Sequence, residues 1–89
     1  MAWNVELDPA VRKDLKKLNP QIAKRILTFL FERVAKLEDP RSIGEAFKGT
    51  KLGELWKYRV GDYRLITKIQ DKTVTVYVVA IGDRREIYR

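Results

Sequence analysis

The chain contains no cysteine and no histidine. Disulfides, thiolate nucleophiles and the usual zinc ligand sets are therefore excluded, and no metal or cofactor is expected. Hydrolytic or transfer chemistry would have to run on lysine, arginine, tyrosine or carboxylates, without the side chain that most often moves protons near neutral pH. No apolar run approaches the length of a membrane span. The start, Met1 to Asp8, alternates like a strand and lacks the basic lead and apolar block of a signal peptide. A soluble cytoplasmic protein without membrane association is expected. Internal repeats and low-complexity segments are also missing.

Positive charge is plentiful. Nineteen Lys and Arg against twelve Asp and Glu leave a formal charge of +7 on 89 residues, which favours an anionic partner such as nucleic acid or an acidic protein. A hydrophobic content of 45% is ordinary for a folded protein, and the length suits one core, so residues 1–89 are read as one domain.

Trp3, Val5 and Leu7 alternate with polar residues, as in a half-buried strand. Asp8-Pro9 then supplies an N-cap followed by the residue best suited to the first helical position, and Asn19-Pro20 repeats the signal. The spacing predicts a first helix from Pro9 to about Leu18 with the stripe Val11, Leu15, Leu18. A longer antiparallel second helix follows, with Ile22, Ile26, Phe29, Leu30, Val34 and Leu37 on one face and Lys24, Arg25 and Arg33 towards water. From Glu38 to Gly53 the pattern reads as a loop, with Ala46-Phe47 as an anchor onto the core. Strands are expected at about Leu55–Val60, Tyr63–Gln70 and Thr73–Ile81, joined at Gly61-Asp62 and Asp71-Lys72. The expected fold is α+β: two N-terminal antiparallel helices packed on an antiparallel sheet made of the N-terminal strand and a three-stranded C-terminal meander.

A two-residue turn at Gly61-Asp62 sets Arg59 opposite Arg64, Tyr58 opposite Leu65 and Lys57 opposite Ile66. One face then carries Trp56, Tyr58, Val60, Tyr63 and Leu65, continued by Val74, Val76, Val78 and Ala80, and forms the core. The other carries Lys57, Arg59, Arg64 and Lys68 among Ile66, Tyr77, Val79 and Ile81, with Arg84 and Arg85 just beyond. Like charges opposed across a ladder are destabilising, so this face is read as a site for something anionic, with a solvated basic strand as the alternative. The apolar Ile66, Val79 and Ile81 are read as a patch for a partner segment, or else as a surface under the C-terminal tail.

The segments Leu55-Trp56-Lys57-Tyr58-Arg59-Val60, Gly61-Asp62-Tyr63-Arg64-Leu65-Ile66 and Val79-Ala80-Ile81-Gly82-Asp83-Arg84-Arg85-Glu86-Ile87-Tyr88 resemble the RelE/ParE toxin family. The resemblance implies a small α+β toxin of a type II toxin–antitoxin system, held inactive in a hetero-oligomer with a RelB-like antitoxin. Its RelE branch implies cleavage of mRNA in the A site of the small ribosomal subunit. The motif positions carry over as Lys57, Arg59, Arg64, Arg84 and Tyr88 for the catalytic set, and Lys51, Lys68, Arg85 and Arg89 are the further expected contacts to RNA or ribosome. Two positions depart from the pattern. Arg59 stands where RelE-like members often have lysine, which makes it a phosphate ligand and not a proton carrier. Asp83 stands where many relatives have histidine, and is expected to cap a turn or pair with Arg85. The chain also ends at Arg89, without the additional helix that some RelE proteins carry.

The implied reaction needs no metal: the RNA 2′-hydroxyl attacks the adjacent phosphate, leaving a 2′,3′-cyclic phosphate and a 5′-hydroxyl. Arg59, Arg64 and Arg84 suit the phosphate charge, with Arg84 near the leaving oxygen. Lys57 acts as base with Tyr88 assisting, or the reverse, since neighbouring cations favour both a neutral lysine and a tyrosinate; Tyr88 packing over Trp56 or Ile87 is the structural alternative. A ParE-like inhibitor of DNA gyrase on the same scaffold, or a nucleic-acid-binding module without chemistry, are the competing readings.

Overall fold

A computed structural model describes residues 2–47 and 55–85. Strand β1 (Asn4–Leu7) leads into helix α1 (Pro9–Lys17), and helix α2 (Pro20–Thr28) follows directly. Both starts are built as the caps require. Asp8 accepts a hydrogen bond from the Ala10 N–H and Asn19 from the Gln21 N–H, each at 2.9 Å, while Pro9 and Pro20 fill positions that need no N–H. The Asp8 carboxyl is held below its ordinary range by the Ala10 N–H and then by the Tyr77 hydroxyl, which donates to it at 2.8 Å.

Beyond Thr28 the helix widens into a π-helical turn over Phe29–Arg33 and tightens into a 3-10 turn over Val34–Lys36. Its buried stripe persists throughout: Ile26, Leu30 and Val34, four residues apart, are fully buried. With Val11 and Leu15 of α1 they meet Tyr58, Val60, Leu65, Val76 and Val78 of the sheet in one core. Side chains of this kind each contribute about 1.5–3 kcal/mol when buried.

The sheet has five strands in the order β1-β5-β4-β3-β2, with β2 at Glu45–Phe47, β3 at Leu55–Val60, β4 at Tyr63–Gln70 and β5 at Thr75–Asp83. The α+β layering is as expected, with four differences of detail. β1 pairs with β5 in parallel, so the sheet is mixed; a strand followed at once by helices cannot return as a hairpin, and the crossover brings it alongside the last strand. Within the expected loop, Asp39 caps a 3-10 turn over Pro40–Ile43, and Ala46-Phe47 belongs to an edge strand. The β4–β5 connection spans residues 71–74, longer than the two-residue turn at Asp71-Lys72, with Val74 at φ 49°. Finally, β5 carries a bulge: Ile66 pairs with Ala80 but Thr67 with Val78, leaving Val79 as the extra residue.

The bulge reverses the facing of everything after it, because an extra residue in a period of two exchanges inside for outside. Ile81, expected on the charged face, opposes Leu65 and packs against the core, whereas Ala80 opposes Ile66 on the outer face. Ile66 is itself only 4% exposed. The expected open patch of Ile66, Val79 and Ile81 is therefore not present. Among the described residues no helix is long and apolar enough to cross a membrane.

Candidate nucleic-acid interface

The site is organised by the two-residue turn between β3 and β4. Gly61 takes φ 58°, which glycine adopts without strain, and this closes the hairpin in the expected register, with Arg59 opposite Arg64 and Lys57 opposite Ile66. The Arg64 guanidinium folds back over the turn, with Nη1 donating to the carbonyls of Gly61 at 3.2 Å and Tyr63 at 3.1 Å. Arg84 reaches the same turn through its main chain, its N–H donating to the Asp62 carbonyl at 2.9 Å. Next to it Asp83 accepts from the Arg85 N–H at 2.9 Å, which is the turn-capping role expected of it. No ion pair involves Arg59, Arg64, Arg84 or Arg85 among the described residues, where the paired cations are Lys36, Arg41 and Lys57.

Lys57 lies 3.5 Å from the Glu45 carboxylate of β2, and its side chain is only 19% exposed. With Arg59 and Arg64 it lines a cleft of about 480 Å³, closed on the other side by Phe29 and Arg33 of the π-helical turn and by Ile43 and Glu45. This cleft exists because β2 pairs only with Leu55–Lys57, leaving Tyr58–Val60 as an edge strand. Tyr58 fixes the rim: its ring meets Phe29 edge-on at 5.9 Å, and its hydroxyl donates to the Pro40 carbonyl just before β2. Burial pushes the Tyr58 hydroxyl up to about 12, so it stays neutral and structural.

The expected site residues divide accordingly. Lys57, Arg59 and Arg64 come together in one cleft, and Arg84 is anchored at the turn beside it. Lys68 shares the outer face but stands four residues from Arg64, about 13 Å along the strand. Arg85 turns elsewhere, to a cleft of about 600 Å³ at the end of α1 that it shares with Asp14, Lys17 and Asp83. That cavity is the larger, but its two acids and two bases offset each other, so it lacks the net positive charge of the smaller cleft, where four bases face one acid. Lys51, Tyr88 and Arg89 lie outside the described residues. Phe29, Arg33, Ile43 and Glu45 were not anticipated; Arg33 was read only as solvent-facing, and no local signal links the second helix to β3.

Compared with known proteins, residues 5–88 match the family model for the ParE toxin of the type II toxin–antitoxin system parDE. The chain belongs to the RelE/ParE toxin family. Toxin RelG of Mycobacterium tuberculosis is 30% identical over 89 residues, spanning 100% of this chain and 99% of that protein. Among solved structures, the toxin–antitoxin complex RelBE2 of the same organism matches with a TM-score of 0.82 and 27% identity, over 97% of this chain and 95% of that one. The archaeal RelE–RelB complex of Pyrococcus horikoshii matches with a TM-score of 0.77 and 25% identity, over 97% of this chain and 99% of that one. The RelE/ParE toxin described here is thus a type II toxin with a RelE-like fold.

Proposed function

We propose that this toxin is a ribosome-dependent endoribonuclease that cuts mRNA in the A site and so stops translation. The observation that carries the reading is the cluster of Arg59, Arg64 and Arg84 about one hairpin turn, with no carboxylate in ion-pair range of any of them among the described residues. Opposed arginines weaken a ladder. A phosphate bound between them offsets that cost, and planar guanidinium groups grip its oxygens in pairs. In the implied reaction the 2′-hydroxyl loses its proton to a base and its oxygen attacks phosphorus; the P–O5′ bond breaks, and the departing oxygen takes a proton. Lys57, 3.5 Å from the Glu45 carboxylate, and Tyr88 are the candidates for the base, one taking the proton and the other assisting. Arg84 stands near the leaving oxygen. Neither group is a strong base at neutral pH, so the ribosome supplies what the toxin lacks, by holding the mRNA in line for attack.

The same reading makes a RelB-like antitoxin the partner, in a cytoplasmic hetero-oligomer, with the whole chain acting as one domain. It is supported by the two toxin–antitoxin complexes among the similar structures. The match to a ParE toxin model favours a second reading, inhibition of DNA gyrase on the same scaffold. The two separate in one assay: a defined mRNA translated on purified ribosomes with the toxin, its 5′ ends mapped by primer extension, with naked mRNA and Arg84→Ala as controls. Cuts within codons that need ribosomes and vanish in the variant are expected. Intact mRNA alongside toxin that still blocks gyrase supercoiling would replace the nuclease reading with the second.

A further inference from the structure

The cleft at β3 does not stop at the outer face. A second cleft of about 340 Å³ adjoins it on the helix side and shares Phe29, Arg33 and Arg59 with it, adding Arg25, Val60 and Gly61. Gly61 forms part of its wall beside Arg25, whose Nη1 would lie in ordinary contact, 3.4 Å, with a Cβ built there. Arg25 and Arg33 are both exposed, and neither forms an ion pair among the described residues. Two carboxylates border the groove, Glu32 in the second cleft and Glu45 in the first, and each pairs with a lysine, Glu32 with Lys36 at 2.9 Å and Glu45 with Lys57 at 3.5 Å.

We infer that this groove round the open edge of β3 is a second RNA subsite, in which Arg25 and Arg33 bind backbone phosphates of the single strand flanking the bond to be cut. The inference rests on the nuclease reading above and extends it to residues outside the catalytic set. Eight residue steps separate the two arginines, at most about 12 Å since the last of them pass through the wider π-helical turn, a span suited to phosphates of an extended strand with Arg59 between them. An acidic peptide adding as a strand fits less well. The free edge offers only Tyr58–Val60 before the turn, at the lower limit of strand length.

The test is binding of a fluorescein-labelled single-stranded RNA, methylated at its 2′-hydroxyls so that it is not cut, to the full-length toxin across a salt series. Wild type, Arg64→Ala and the double variant Arg25→Ala/Arg33→Ala are compared. The double variant should bind about tenfold more weakly, with the slope of log K against log salt reduced by about 1.4, at about 0.7 for each lost contact to a single strand. A double variant with wild-type affinity and slope, while Arg64→Ala loses both, overturns the subsite and leaves the nuclease reading standing. Wild-type toxin that binds no RNA overturns the subsite, and the nuclease reading is then decided by the ribosome assay alone. Unchanged RNA binding with lost binding of a polyglutamate peptide would hand the groove to an acidic protein segment.

Discussion

The two ends of the β4 strand use arginine in opposite ways. At the β4–β5 turn Arg41 is saturated: its Nη2 meets Asp71 at 2.7 Å, its Nη1 meets Asp71 at 3.2 Å and Asp39 at 3.3 Å, and its guanidinium lies 5.9 Å from the Trp56 ring. The Asp71 carboxyl is held below its ordinary range by that pairing, and Arg41 is raised in turn by Asp71. At the β3–β4 turn Arg59 and Arg64 face each other, and among the described residues neither has an acid in ion-pair range. Arg41 thus closes a structure, staking the segment before β2 to the far turn. The arginines at the other end leave charge for something that is not part of the chain. A count of basic residues does not distinguish the two uses; the company each guanidinium keeps does.

That contrast can be broken from either side. The largest effect is expected from Arg59→Ala, which should lower the rate of cutting of ribosome-bound mRNA by about 100-fold or more, as loss of a transition-state donor does. Its melting temperature should hold or rise slightly, because the opposed charge is relieved; a clear fall would mean Arg59 serves the fold. Arg41→Ala should do the reverse, lowering the melting temperature by roughly a few degrees, while the cutting rate of the folded fraction is preserved. Gly61→Ala should cost about 1 kcal/mol through the positive φ, read as a drop of roughly 4–8 °C in a thermal melt. The smallest effect concerns acid. Asp71 has a depressed pKa in the fold, so its pairing stabilises above about pH 4 and is lost as pH falls through the lower folded value. Wild-type melting temperature should therefore fall more steeply below that pH than that of Arg41→Ala, and parallel curves would show the pair contributes nothing.

Elements announced by their own residues were legible in the sequence. Asp8-Pro9 and Asn19-Pro20 each place a side-chain acceptor over a proline-started helix, and Gly61 fixes the β3–β4 register, which brings Lys57, Arg59 and Arg64 onto one face. What escaped depends on neighbours distant in sequence. β2 is three residues long, and its ladder is set by the place to which Tyr58 and the Pro40 turn bring it. The bulge at Val79 has no local marker, since valine suits either facing of a strand, and it misassigned Ile81 and Ala80. Arg25 and Arg33 read correctly as exposed, but only the packing of the second helix beside the edge of β3 makes them neighbours of Arg59.

The extra residue in β5 divides that strand into two frames. Before Val79 its alternation serves the core, with Val76 and Val78 fully buried; after it the chain is offset by one step, and Ile81, Gly82 and Asp83 lead to the turn where Arg84 is held by its amide to Asp62. Arg84 is therefore delivered by main-chain phase and not by its own side chain. Substitutions upstream of Val79 can retune packing without touching that delivery, whereas a single deletion there would keep every residue of the motif and mis-aim all of it.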